Sequence, residues 1–92
     1  MNPITAQEAS QLSTEKYKEL LELNTKFQLN EIYRIVRIQV KEGAFEAVSP
    51  LKYWGNKFKK GLTQILESQG YSVEYKNTSL GEFIVVKWGN HQ

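Results

Sequence analysis

The stretch EFIVVKW, Glu82 to Trp88, carries four apolar residues in a row, Phe83 to Val86. A strand with one wet face alternates apolar and polar side chains. An unbroken run is what a strand covered on both faces displays. The run therefore predicts a central strand at the end of the chain. Before it, Asn77 to Gly81 reads as a five-residue turn. Tyr71-Ser72-Val73-Glu74-Tyr75-Lys76 alternates strictly, as a half-buried strand does. The two form a hairpin and are antiparallel. Further upstream, Ala44 to Val48 alternates well enough for a short strand, and Ser49-Pro50 supplies a cap and a first-turn proline for a helix that Gly70 ends. A right-handed crossover through that helix leaves the first strand parallel to the second. The sheet order is then first, third, second, with helices on one face and the other face partly covered.

The remainder is helical. Thr5-Ala6-Gln7-Glu8 fits a capping box with Ile4 as hydrophobic staple, opening a short helix through about Leu12. Ser13 or Thr14 can cap a second helix. From Thr14 to Glu42 there is neither proline nor glycine, and Gly43 is placed as a stop. Two apolar stripes lie on that long element. Tyr17, Leu20, Leu21, Leu23 and Phe27 form one; Leu29, Ile32, Tyr33, Val36 and Val40 form the other, rotated by well over a quarter-turn. One small core cannot cover both. Either the helix breaks near Asn24 to Gln28, or its first half packs on a second copy of the chain. The expected architecture is α+β in one domain, residues 1–92, with a helical arm (1–43) and a β-α-β-β body (44–92).

SPLKYWGNKFKKG, Ser49 to Gly61, sets three aromatics among four lysines with no acid. In a helix opening at Pro50, Leu51, Trp54, Phe58, Leu62, Ile65 and Leu66 gather on one core-facing arc. Tyr53, Asn56, Lys57 and Lys60 share the opposite side. They form a candidate patch for phosphate or a stacked base, with Arg34 and Arg37 of the long helix as further candidates. A solvated lysine face explains the same residues without any ligand. Trp88 shares a strand side with Ile84 and Val86 and is expected to be partly buried, the residues after it frayed.

Composition bounds the chemistry. With 92 residues and a net charge of +2, the chain has little long-range pull on phosphate. It contains no cysteine and no aspartate, and its one histidine is His91, next to last. A transition-metal site lacks ligands, and no histidine-based triad can be assembled. The scattered glycines match neither GxxxxGK[ST] nor GxGxxG. Glu15, Glu19 and Glu22 stand at helical spacings, but each has a lysine within one turn and reads as a solvated ion pair. The start MNPITAQEASQL has neither the charge nor the apolar core of a signal peptide. No apolar run approaches the roughly 20 residues that span a bilayer. The reading is a cytoplasmic, non-enzymatic chain with no cofactor and no metal.

An opening ITAQEASQLS, a long charged helix, the segment VKEGAFEAVSP, a helix ending in LESQGYSVEY and a last strand FIVVKW follow one another over nearly the whole chain. This pattern resembles that of small uncharacterised tailed-phage and prophage proteins. The resemblance implies an accessory or virion-associated protein in the host cytoplasm or the virion, and no catalytic residues. GNKFKKG is not part of the shared pattern. The leading expectation is a protein-binding, self-associating chain whose partner is of phage or host origin. A weak nucleic-acid or nucleotide-sequestering module and a small virion structural protein are the alternatives.

Overall fold

A computed structural model describes residues 3–89. The elements are α1 (Ala6–Lys41), β1 (Glu46–Pro50), α2 (Asn56–Ser68), β2 (Ser72–Thr78) and β3 (Gly81–Lys87). The sheet has the order β1-β3-β2, and β3 runs antiparallel to both neighbours. The fold is α+β with the apolar run EFIVVKW in the middle of the sheet, as its pattern demands.

Ala47, Ser49, Ile84, Val86, Val73 and Tyr75 share the face that meets the helices. Ile32 and Val36 of α1 and Phe58, Leu62 and Leu66 of α2 close the core over them. On the other face Val48, Val85 and Glu74 lie side by side, and Val85 is only 2% exposed because it sits in the central strand between them. Trp88 is half-buried and meets Tyr71 edge-on, with ring centroids 6.2 Å apart. Asn90, His91 and Gln92, expected to fray, lie outside the described residues.

Both helices end in the same way. Gly43 and Gly70 take positive φ (77° and 94°), and the next residue donates back five positions, Ala44 N to Gln39 O and Tyr71 N to Leu66 O. Only glycine adopts that left-handed turn without steric cost.

Four sequence expectations are corrected. First, α1 is one unbroken helix, so neither the separate short helix to Leu12 nor a break at Asn24 to Gln28 exists. Its buried stripe runs Leu21, Gln28, Ile32, Val36, and a glutamine in the middle hid its continuity. Gln28 is wholly buried because the end of β1 satisfies it: its Nε2 donates to Pro50 O (3.1 Å) and weakly to Ser49 Oγ (3.4 Å), and its Oε1 accepts from Lys52 N (2.9 Å). Second, the first strand lies two residues later than the 44–48 expectation. Third, α2 begins at Asn56 rather than Pro50, with Gly55 at its N-cap. Ser49 and Pro50 pair with Ile84 and Phe83, Leu51 N donates to Glu82 O, and Lys52 N is taken by Gln28. Those groups are committed to the sheet and to α1, and proline is tolerated because β1 is an edge strand.

Fourth, the late helix start exchanges the roles of two aromatics. Trp54, expected in the core, is 76% exposed. Tyr53, expected outside, packs against the core and meets Phe58 edge-on at 5.6 Å.

Candidate functional site

At about 1.5 Å per residue, the 36 residues of α1 extend roughly 54 Å, and the molecule's long axis measures 64 Å against 30 and 18 Å for the others. The helix touches its own body from about Leu21 onward. Before that point every described residue except Ala9 is exposed.

The five residues expected to self-associate divide on this rod. Leu21 turns to the body and packs against the core. Tyr17 stands over the body's edge, where the Lys57 ammonium lies 5.9 Å from its ring centroid. Leu20, Leu23 and Phe27 stay exposed. On a helical projection they centre about 150° from the Gln28-Ile32-Val36 line, on the side facing away from the body. Leu12 and Ile38 extend that outward stripe at either end and are exposed as well.

Charge is distributed unevenly along the same rod. Between Ala6 and Asn24 stand Glu8, Glu15, Glu19 and Glu22 against Lys16 and Lys18. Between Thr25 and Lys41 stand Lys26, Arg34, Arg37 and Lys41 against Glu31 alone. The first half is acidic and the second basic. Two ion pairs flank the outward stripe, Lys16 with Glu19 (3.7 Å) and Arg34 with Glu31 (2.6 Å). The bond from Arg34 holds the Glu31 carboxyl below its ordinary range and raises the guanidinium in turn.

The candidate phosphate patch does not assemble as one surface. Tyr53 is turned onto Phe58. Lys57 leans on Tyr17, and Arg34 is engaged by Glu31. Asn56 and Lys60 are exposed on α2, and Arg37 is exposed on α1.

Two hollows border the rod. A small one of about 180 Å³ lies among Tyr17, Leu20, Tyr53 and Trp54. The larger, about 420 Å³, is an open groove between α1 and α2. It is lined by Leu21, Leu29, Tyr33, Gly61 and Ile65, with Lys26, Lys57 and Glu22 as its charged residues. The sequence reading passed over this groove. The one signal for it was a glycine in the middle of an amphipathic helix. At the far side of α2, the Tyr75 hydroxyl donates to Lys59 O (3.0 Å) and so accepts from Thr63 Oγ1 (2.8 Å). Burial pushes this phenol above its ordinary 10.0. Lys59 is paired with Glu82.

Among the described residues no cluster of three or more His, Cys, Asp or Glu could hold a metal, and no helix is long and apolar enough to cross a membrane. Comparison with protein-family models, with curated proteins and with solved structures finds no match.

Proposed function

We propose that this chain is a non-enzymatic binding protein that self-associates through the outward face of α1, two copies lying antiparallel. One observation carries the reading. An unbroken helix presents Leu20, Leu23 and Phe27 on the side its own body does not cover. A soluble helix that is apolar on two opposed sides buries the second against something else.

Charge selects the partner and the direction. The acidic first half of α1 matches the basic second half of another copy only when the helices run in opposite senses. A two-fold axis crossing at Thr25 sets Leu23 against Phe27 of the second copy and Leu12 against Ile38. That register sets Lys16 opposite Arg34 and Glu19 opposite Glu31, both like-charged, so the antiparallel sense rests on the net charges of the two halves and not on these residues. The phage or prophage origin implied by the sequence resemblance belongs to the same proposal and rests on those motifs.

Sedimentation equilibrium over a wide concentration range tests association. A dimer is expected, dispersed by Leu23→Glu with Phe27→Glu, two exposed positions whose substitution leaves the monomer folded. A strict monomer at several hundred micromolar would sink the proposal. Direction is tested by crosslinking, for which the cysteine-free chain is suited. A Leu12→Cys chain mixed with an Ile38→Cys chain should give a disulfide-linked heterodimer. Crosslinking of Leu12→Cys to itself alone would indicate parallel helices.

A further inference from the structure

The groove between α1 and α2 holds an observation that folding does not explain. Gly61 lies inside α2 with an ordinary helical φ, and a Cβ built on it would meet nothing within 4 Å. Neither a left-handed turn nor a close neighbour requires glycine there. In a helix interior glycine is the poorest residue after proline. What the missing side chain leaves is room, because Gly61 lines the groove together with Leu21, Leu29 and Ile65 and a Cβ there would meet nothing within 4 Å.

Of the uncharged polar side chains lining it, Thr25, Asn30 and Tyr33, two are already committed. Thr25 Oγ1 donates to Leu21 O (2.7 Å), and Tyr33 OH donates to Gln69 Oε1 (2.7 Å). Apart from the Asn30 amide, the walls offer a largely apolar surface. The charged residues are two ammonium groups, Lys26 and Lys57, and one carboxylate, Glu22, so the groove carries an excess of one positive charge. Lys57 touches the Tyr17 ring rather than an acid. A cleft of this volume with a largely apolar lining and a few charged groups is the usual form of a small-ligand site.

We propose that this groove binds a small amphipathic anion, an unbranched or aromatic apolar body bearing one carboxylate, with the body over Gly61 and the carboxylate between Lys26 and Lys57. The outward stripe of α1 is a different surface. Leu20, Leu23 and Phe27 form a convex ridge suited to another helix, whereas this groove is concave and walled by two helices.

Decanoate, kept below its micellar range, is the probe. It is titrated into the protein while the methyl resonances of Leu21, Leu29 and Ile65 are followed by NMR, with decanol as the uncharged analogue. Saturable shifts confined to these methyls are expected, with decanol bound at least tenfold more weakly. Gly61→Leu should weaken decanoate binding at least tenfold without lowering the melting temperature, since leucine is the better helix former. Gly61→Ala should raise the melting temperature, which shows that the glycine is not kept for stability. The pair Lys26→Gln with Lys57→Gln should bring decanoate down to the affinity of decanol.

Equal binding of decanoate and decanol would overturn the assignment of an anion. Unchanged binding to Gly61→Leu, or shifts centred on Leu20 and Leu23, would overturn the site. Shifts of the groove methyls with protein concentration alone would mean that a second copy fills it, and the proposal would fail.

Discussion

Gln28→Leu isolates what the buried amide does. The two side chains have similar volumes, so the substitution leaves little cavity and tests the polar contacts almost alone. Two of the three hydrogen bonds have ordinary lengths, 2.9 Å from Lys52 N and 3.1 Å to Pro50 O, while the third, 3.4 Å to Ser49 Oγ, is marginal. Leucine strands the Lys52 N–H and leaves the Pro50 carbonyl only the marginal 3.4 Å bond from Ser49 Oγ, beside a position that is 0% exposed. An unsatisfied buried group costs about 1–3 kcal/mol. Burial of the leucine returns part of that, so the net loss is about 2–4 kcal/mol. A chain of this size has about 5–14 kcal/mol in total. The melting temperature should fall by about 10–25 °C. Urea unfolding followed by far-UV circular dichroism reads the difference directly, with an unchanged m-value expected. A loss below about 1 kcal/mol would refute the reasoning, because the end of β1 would then be held without the amide. Gln28→Glu adds a sign test. Its carboxylate can accept from Lys52 N but cannot donate to Pro50 O, and burial raises its pKa above the unfolded value. A raised folded pKa gives stability that is present at low pH and lost as pH rises. The deficit against the parent chain should therefore shrink as pH falls below the ordinary glutamate range near about 4.3.

Two further substitutions test the exchanged aromatics. Trp54→Ala should change stability by no more than about 0.5 kcal/mol, whereas Tyr53→Ala, which removes the ring packed on Phe58, should cost about 1–3 kcal/mol. Denaturant midpoints decide between this and the reverse order. For Tyr75, the folded phenol titrates above the unfolded one, so stability is complete below about pH 10 and is lost as pH rises through the higher folded value. Tyr75→Phe should lose about 1 kcal/mol at neutral pH, from the bond to Lys59 O, and should show a shallower alkaline decline. An equally steep decline in the variant would assign it to other groups.

The legible part of the fold was the part in which one local signal outweighs its rivals. Four consecutive apolar residues in EFIVVKW can hardly sit anywhere but mid-sheet. From that strand the hairpin, the order β1-β3-β2 and the parallel sense of β1 and β2 follow by connection rules alone. Gly43 and Gly70 ended their helices because no other residue turns so cheaply. The readings that went astray rested on groups whose partners lie far away in sequence. Gln28 looked like an interruption because its partners, Pro50 O and Lys52 N, stand 22 and 24 residues downstream. Ser49-Pro50 looked like a helix cap because the competing demand of the sheet, the register with Ile84 and Phe83, comes from the last strand. Once the helix start moved, Tyr53 and Trp54 exchanged environments. The outward stripe was visible in part: Leu20, Leu23 and Phe27 were correctly paired with one another, but Leu21 was assigned with them. At about 100° per residue it falls close to the Gln28-Ile32-Val36 line, and the polar Gln28 hid that alignment. The α1–α2 groove could not be read from periodicity, because a groove belongs to two helices at once.

The arm itself supplies the last test. Residues 6–16 are exposed apart from Ala9, and beyond them only Tyr17 and Leu20 border the body, so local forces do most to keep the arm helical. The packed part of α1 provides the nucleus, which leaves propagation at a factor close to unity per residue. Thr5 adds a cap, its hydroxyl accepting from Glu8 N at 3.1 Å, and Lys16–Glu19 adds an exposed pair worth a few tenths of a kcal/mol, about 0.3. Against this stand Ser10, Ser13 and Thr14, whose side chains favour ends over interiors, and Thr14 already donates to Ser10 O. The balance is near zero, so an isolated arm frays in from Thr5 and an associated one does not. Amide hydrogen exchange between Ser10 and Leu20 should therefore slow several-fold from dilute to concentrated protein, while amides near Ile32 and Val36 keep the same protection. In Leu23→Glu with Phe27→Glu the concentration dependence should vanish. Protection of the arm that is high and independent of concentration would mean that it needs no neighbour, and the apolar stripe would have to be explained without one.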